Sequence, residues 1–335
     1  LLPDTEETRL RLTEFENSVN AWLAAQFQTS LYLACAWRPC SGNDLRNEPA
    51  EASPYVQIYR DLSRAVSEKK LRRYSPDELR SLNSSINRGD GRECKICGVT
   101  DKLLEKEDIC PWCDRFAKIS PLLLANDKYA VVTDTPPEKT PCFPVPNIGG
   151  GDRYIRFADH DSVVRLHDSG GALRVYSKNA PHTGLNYATN LYMGDYASDK
   201  YMEELAEDAN GIKRIAILRA DVDNLGLAFT SGFERKGEGL PPSKRDIYKT
   251  LSRSAALSRQ MSLFFKYHIN SILEKADRSA PYFKIAGAEE DTSRKGRKAV
   301  VVYSGGDDIF LVGAWNDVIE TAVDIRDSLE RFTAV

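Results

Sequence analysis

Two short acidic segments carry the residue types that could do chemistry. Tyr303-Ser304-Gly305-Gly306-Asp307-Asp308 lies between two apolar runs, and Ala220-Asp221-Val222-Asp223-Asn224-Leu225-Gly226 closes a third. Gly-Gly favours a two-residue hairpin turn because both positions tolerate positive φ, which predicts Asp307 at the tip of the second strand. Glycine also leaves the backbone bare, so a phosphate can come close to Ser304, Gly305 and Gly306. Adjacent carboxylates repel each other unless a cation lies between them. With both strands side by side in one sheet, Asp221, Asp307 and Asp308 form an oxygen-rich site suited to magnesium or manganese. Two such ions can activate a ribose 3′-hydroxyl and stabilise a leaving pyrophosphate. Val222, Asp223, Asn224, Leu225 and Gly226 then make a candidate nucleotide-binding segment, with backbone N–H groups of 224–226 turned to triphosphate oxygens. The plainer alternative is a polar hairpin and a helix cap.

A second constellation is made of cysteine. Cys94-x-x-Cys97 and Cys110-x-x-Cys113 are separated by twelve residues, a spacing that lets two knuckles place four thiolates tetrahedrally around zinc. Gly98 suits the tight turn of the first knuckle. All four positions are cysteine and none is left for water, so the zinc is expected to be structural. Reduced, buried thiols are the alternative. Cys35, Cys40 and Cys142 follow no pattern. The doublets His160-Asp161 and His167-Asp168 spell a pair used by metal-dependent phosphohydrolases. They fall in a stretch read as strand and loop, without the helical period such a site needs, and no nuclease site is expected there. His182 and His268 are read as structural.

The elements that must position these residues follow from periodicity. Residues 5–27 predict a helix with Leu12, Phe15, Val19, Trp22 and Leu23 on one face. Residues 30–37 predict a strand, and 55–66 a second amphipathic helix. The basic run 69–73 is read as a solvated helix end, with RNA phosphate contact as the alternative. Short strands punctuated by Gly, Pro and Asn fill 127–200. From Gly211 the order is β-α-β-β-α: a strand to Asp221, a long helix over 244–274 with Ile247, Leu251, Ala255, Met261, Phe265, Ile269 and Ile272 inward, two strands about the glycine turn, and a helix over 316–332.

The chain has 335 residues and a formal net charge of −3. That length allows two or three domains. The near-neutral charge excludes a wholly basic nucleic-acid face, so RNA contact is expected to be local or shared with other subunits. No apolar run reaches the roughly 18 residues of a membrane span, and the first residues lack a signal-peptide pattern. Paired C-x-x-C motifs favour a reducing compartment, the cytoplasm.

Together these motifs resemble the large subunit of type III-A CRISPR effector complexes, the polymerase-cyclase that makes cyclic oligoadenylates. The resemblance rests on GIKRIAILRADVDNLG (211–226), YSGGDDIF (303–310), CKICG (94–98), CPWC (110–113), NLYMGDY (190–196) and KKLRRY (69–74), and spans nearly the whole chain. It implies an α+β chain of two ferredoxin-like palm domains, each incomplete here, flanking a zinc module and a β-rich connector. The divisions are 1–88 for a partial first palm, 89–125 for the zinc module, 126–210 for the connector and 211–335 for the second palm. It further implies conversion of ATP to cyclic oligoadenylate, triggered by target RNA on the guide RNA within a complex of other type III subunits. The amino-terminal nuclease domain and helical carboxy-terminal domain of that family have no counterpart in these 335 residues, so single-strand DNase activity is not expected of them. The second palm lacks its last strand, which predicts an exposed sheet edge and poor solubility alone. A diguanylate cyclase shares the palm, but its hairpin continues Glu-Phe where Asp308 is followed by Ile309, and it carries no zinc knuckles. An inactive RNA-bracing scaffold is the third reading.

Overall fold

The computed structural model describes residues 1–84, 92–100, 103–104, 107–125, 128–146, 150–199, 201–274, 285 and 296–333. The elements begin with α1 (Glu6–Phe27), α2 (Gly42–Leu45), α3 (Pro54–Leu71), α4 (Pro76–Ser84) and α5 (Pro111–Leu124). A middle stretch follows with β1 (Tyr129–Thr133), β2 (Cys142–Val145), β3 (Arg153–Ala158), α6 (His160–Asp168), β4 (Arg174–Lys178), β5 (Ala188–Leu191) and α7 (Met202–Glu207). The last third holds β6 (Ile215–Asp221), α8 (Leu225–Ser231), α9 (Pro242–Arg245), α10 (Leu251–Leu263), a π-helical turn (Phe264–His268) and α11 (Ile269–Glu274). It closes with β7 (Ala299–Gly305), β8 (Asp308–Ala314) and α12 (Trp315–Thr333). Contacts divide the chain into two compact units, Leu1–Ser41 with Gln57–Leu191, and Gly42–Val56 with Tyr192–Val335.

In the first unit β2-β3-β1-β4-β5 form one sheet, antiparallel except for the β4–β5 pair. Val131, Ala158 and Val175 of the sheet are buried together with Val163 of α6. The expected strand-rich character of this stretch is present, but α6 corrects the reading of its two His-Asp doublets as strand and loop. Asp159 caps that helix by accepting from Ser162 N, and Val163 and Leu166 supply its apolar side. The strand expected over 30–37 does not form. That segment runs along α1, where Asn20 donates to Leu33 O and accepts from Leu33 N, and Glu16 accepts from Cys35 N. Side chains of a helix thus fill the backbone valences that a neighbouring strand would have filled. Accordingly α1 buries Glu16 and Asn20, while Phe15, placed on the core face by its period, is exposed. The described residues of 1–88 form helices and no strand, so the strand expected of a partial first palm is not found among them.

The second unit positions the acidic residues. Its sheet has the order β6-β8-β7, with both neighbouring pairs antiparallel. A strand, a helical crossover and a second strand with the third inserted between them is the split βαβ start of a ferredoxin-like fold. One face of the sheet packs on α10 to α12, where Met261, Phe264, Phe265, Ile269, Leu273, Ile309 and Leu311 are buried. The long helix begins at Leu251 rather than at 244. Ile247 is exposed, and Ser254 faces inward where Ala255 was expected to. Asp246 accounts for the late start: it is buried with Lys249 and bonded to Arg245, which folds 245–249 into a turn of its own. The helix over 316–332 forms as expected.

Candidate active site

The hairpin that carries the acidic pair turns one residue later than predicted. Gly305 pairs with Asp308, so the turn is Gly306-Asp307 and Asp308 opens β8. Only Gly306 of the two turn residues has positive φ, at 70°, the pattern of a type II′ turn with glycine in its first central position. On the other side of β8, Asp221 lies directly opposite Asp308 in the register of β6, and Val222 N donates to Asp307 O at 3.1 Å. Two clusters more than eighty residues apart in sequence are therefore joined at one end of the sheet.

The two oxygens of Asp308 have different surroundings. Oδ2 accepts from the Tyr303 hydroxyl at 3.0 Å. Oδ1 is buried and has no hydrogen-bond partner. The hydrogen bond to Asp308, with desolvation behind it, pushes the Tyr303 hydroxyl pKa up, and Arg219 opposes the rise. Tyr303 reaches Asp308 because of a bulge. The ladder skips Val302 between Val301 and Tyr303, which turns Tyr303 onto the face of Phe310, and the two rings stack at 5.9 Å with planes 4° apart. A buried carboxylate oxygen without a partner, beside further carboxylates, fits a hard divalent cation such as magnesium or manganese. The carboxylates of Asp221, Asp307 and Asp308 are nevertheless not drawn to a single point. The cysteines described below are the group of three or more candidate ligand atoms that converges among the described residues.

The remaining predicted residues are placed as follows. Asn224 adopts left-handed backbone, φ 58°, ahead of α8, and Leu225 packs against the core. Asp223 and Gly226 are exposed beside it. Val222 N is taken by Asp307 O, so it is not free for a phosphate. Ser304 donates its hydroxyl to Phe265 O within the π-helical turn. Its side chain clamps the hairpin to the crossover helix. Gly194 makes room for this clamp, since a Cβ there would stand 2.8 Å from the Ser304 Cβ. Asn270 fixes the Gly194 segment by accepting from Asp195 N and Tyr196 N and donating to Met193 O. Asn270 lies in no motif, and Gly194 and Tyr303, though within quoted motifs, have no role assigned there. The one signal for Gly194 is that it is a glycine in the stretch 190–196.

In the other unit Cys94, Cys97, Cys110 and Cys113 bring their sulfurs within 4.8 Å of one another. A tetrahedral ion with Zn–S near 2.3 Å needs sulfur edges of about 3.8 Å, and Cys97 and Cys110 are 3.7 Å apart. The first knuckle is closed by Gly98 N donating to Cys94 O, with Gly98 at φ 72°. Cys110 caps α5. Desolvation raises the Cys94 thiol, but the backbone N–H groups of Cys97, Cys110 and Ile96 outweigh it and bring the pKa down to about 6. Burial and neighbouring thiols push Cys113 up. The donor set fits zinc. Trp112, next along α5, packs among Trp22, Phe27 and Phe143 and ties the cluster to α1 and β2. Helix α6 places its two doublets otherwise: His167 stacks on Tyr187 with centroids 3.7 Å apart, and His160 faces Asp161.

Residues 214–335 match the family model of the Cas10/Cmr2 second palm domain, and residues 1–85 that of Csm1 subunit domain B. A CRISPR system single-strand-specific deoxyribonuclease Cas10/Csm1 (subtype III-A) of Mycobacterium tuberculosis is 35% identical over 346 residues, 99% of this chain and 40% of that protein. Its namesake in Enterococcus italicus is 34% identical over 344 residues, 100% of this chain and 39% of that protein. The chain thus spans about two fifths of the length of the curated relatives it matches. A crystal structure of a Csm1-Csm4 cassette in complex with one ATP has a TM-score of 0.65 at 21% identity, over 99% of this chain and 39% of that one. The cassette in complex with cA4 gives 0.63 at 21% identity, over 99% and 38%. At that identity the structures speak for the fold. With homologues of one name aligned along nearly its whole length and two domain models matched in order, the chain belongs to the Cas10/Csm1 family of subtype III-A.

Proposed function

We propose that this chain contributes the nucleotidyl-transfer centre of an RNA-guided type III CRISPR effector, which joins ATP into cyclic oligoadenylate when target RNA pairs with the guide. One observation carries the reading: Asp221 stands opposite Asp308 on a palm sheet, and Asp308 keeps a buried oxygen without a protein partner. The ATP and cA4 in the names of the related Csm1-Csm4 structures support the choice of substrate and product.

In the reaction the 3′-oxygen of one ATP bonds to the α-phosphorus of another, and the bond to the α,β-bridging oxygen breaks. Pyrophosphate takes the electron pair, and the hydroxyl proton passes to water. Divalent ions held by Asp221, Asp307 and Asp308 would neutralise the phosphates and acidify the attacking hydroxyl. The protein's own groups orient the parts. Tyr303 fixes the carboxylate of Asp308, Ser304 locks the hairpin to the helix, and Gly306 lets the turn approach a phosphate. The segment 222–226 borders the nucleotide. Zinc in the four-cysteine cluster is structural. In this division 89–125 is the zinc module, 126–210 the connector and 211–335 the second palm. Partners are other type III subunits, guide RNA and target RNA, in the cytoplasm. His160 and His167 are engaged elsewhere, so the deoxyribonuclease named in the relatives is not assigned to this stretch.

The test is incubation of the complete protein in its complex with each NTP, with and without target RNA. Cyclic oligoadenylate should form from ATP and only with target. Replacing Asp307 and Asp308 by Ala should remove it, since lost metal-bound charge stabilisation costs several kcal/mol, about three orders of magnitude in rate. Consumption of GTP would favour a diguanylate-type cyclase, and undiminished synthesis by the double variant would refute the site.

A further inference from the structure

The π-helical turn brings a cation to the glycine hairpin. Lys266 lies in the middle of Phe264–His268, and its Cε is 3.3 Å from where a Cβ on Gly305 would stand. The lysine stem therefore crosses the hairpin at the residue that lacks a side chain. Phe264 and Phe265, the first two residues of the turn, are buried, which fixes the turn in place. Ser304, next to Gly305, donates to Phe265 O, so the hairpin and the turn that carries Lys266 are held as one piece. Among the described residues Lys266 takes part in no ion pair or hydrogen bond, and it is half-buried. Asp307 and Asp308 follow two and three residues after Gly305, and neither forms an ion pair with Lys266. Single π-turns inside α-helices are rare and occur frequently at functional sites.

We propose that Lys266 binds the β- and γ-phosphates of the ATP whose α-phosphorus is attacked, and stabilises the pyrophosphate as it leaves. The proposal rests on the nucleotidyl-transfer reading above and adds to it the group that receives the leaving charge. An ammonium is a compact point charge with three donors, suited to phosphate oxygens whose orientation changes as the α,β bond breaks. As the 3′-oxygen bonds to the α-phosphorus, the electron pair of the broken bond settles on pyrophosphate. Lys266 meets that charge without giving up a proton. Gly305 is the residue whose lack of a Cβ leaves the stem its path.

The experiment compares Lys266→Met and Lys266→Arg with wild type in the complete protein, purified with its accompanying subunits. Binding of the non-cleavable analogue α,β-methylene-ATP and of AMP is measured by calorimetry in magnesium buffer. A charge-assisted contact to phosphate predicts that Lys266→Met weakens the ATP analogue by about tenfold or more and leaves AMP within about twofold. Lys266→Arg should recover most of the loss. In catalysis the Met variant should lower kcat as well as raise KM for ATP, because the charge it meets grows towards the transition state. Unchanged affinity for the analogue, or equal weakening of the analogue and AMP, would overturn the proposal. A wild type that binds the analogue yet makes no oligoadenylate with target RNA would refute the reaction. The contrast between analogue and AMP would then still decide the role of Lys266.

Discussion

Charged side chains in the palm unit are matched differently at the hairpin and away from it. Asp308 leaves an oxygen open, whereas the carboxylate of Asp246 is saturated: Arg245 Nε lies 2.9 Å away, Lys249 Nζ 3.3 Å, and the residue is 1% exposed. Hydrogen bonds from Arg245 lower its pKa most, Lys249 adds to them, and burial works against both. A carboxylate whose folded pKa lies below its unfolded value, near 3.9, adds stability that is complete above that pH and fades as pH falls through the folded value. Asp246→Asn should therefore destabilise the fold at pH 7 by about 2 kcal/mol, the scale of hydrogen bonds to a buried charge. The gap from wild type should narrow as pH falls below the ordinary aspartate value and towards the lowered folded one, because the unfolded chain then takes up the proton first. Urea titrations at pH 7 and pH 3 measure it, and a gap of the same size at both would show that the charge of Asp246 is not what holds the turn.

At the scale of elements the cysteine cluster fixes the largest share of local structure for its length. Among the described residues from Cys94 to Cys113 the buried ones are Cys94 and Cys110 themselves, while the apolar side chains there stay exposed or half-exposed. Removing the metal should thus loosen α5 and, through Trp112, its packing on Trp22 and Phe27. Cys97→Ser should lower zinc content from one ion per chain towards none and change tryptophan fluorescence. Full zinc content in that variant, by elemental analysis, would refute the ligand set. This cluster was legible because its ligands are fixed by spacing alone, and β6, β8 and α12 were legible because long apolar runs and a regular period specify them. Residues 30–37 were not, since the apolar run SLYLACAW is satisfied by Glu16 and Asn20 on a helix and no local pattern reveals that partner. Helix α6 was missed although Asp159, Val163 and Leu166 sit at cap and core spacing, because the surrounding Gly and Asp signals read as turns. In the site, the acids were readable and their supports were not. The bulge at Val302, the clamp of Ser304 and the place of Lys266 all depend on which strand and which helical turn meet in space.

At the scale of the whole chain, net charge and hydropathy say little about fold, and among the described residues no helix is long and apolar enough to cross a membrane. The sheet of the second unit says more. β6 is an edge strand: among the described residues no strand pairs with its outer side. Ile215 and Ile217, on the face turned from the helices, are 42% and 63% exposed. An open edge with an apolar face is a template for pairing with another chain. Residues 1–335 expressed alone should therefore associate as concentration rises. Ile217→Lys should shift the equilibrium towards monomer, since a charge inside an edge strand penalises a second strand laid against it. The same variant should cost less than about 0.5 kcal/mol in stability, as befits an exposed position without partners in the core. Sedimentation velocity across a series of concentrations separates the outcomes, because association follows mass action. A wild-type chain that stays monomeric throughout would mean that the β6 edge is protected within these residues.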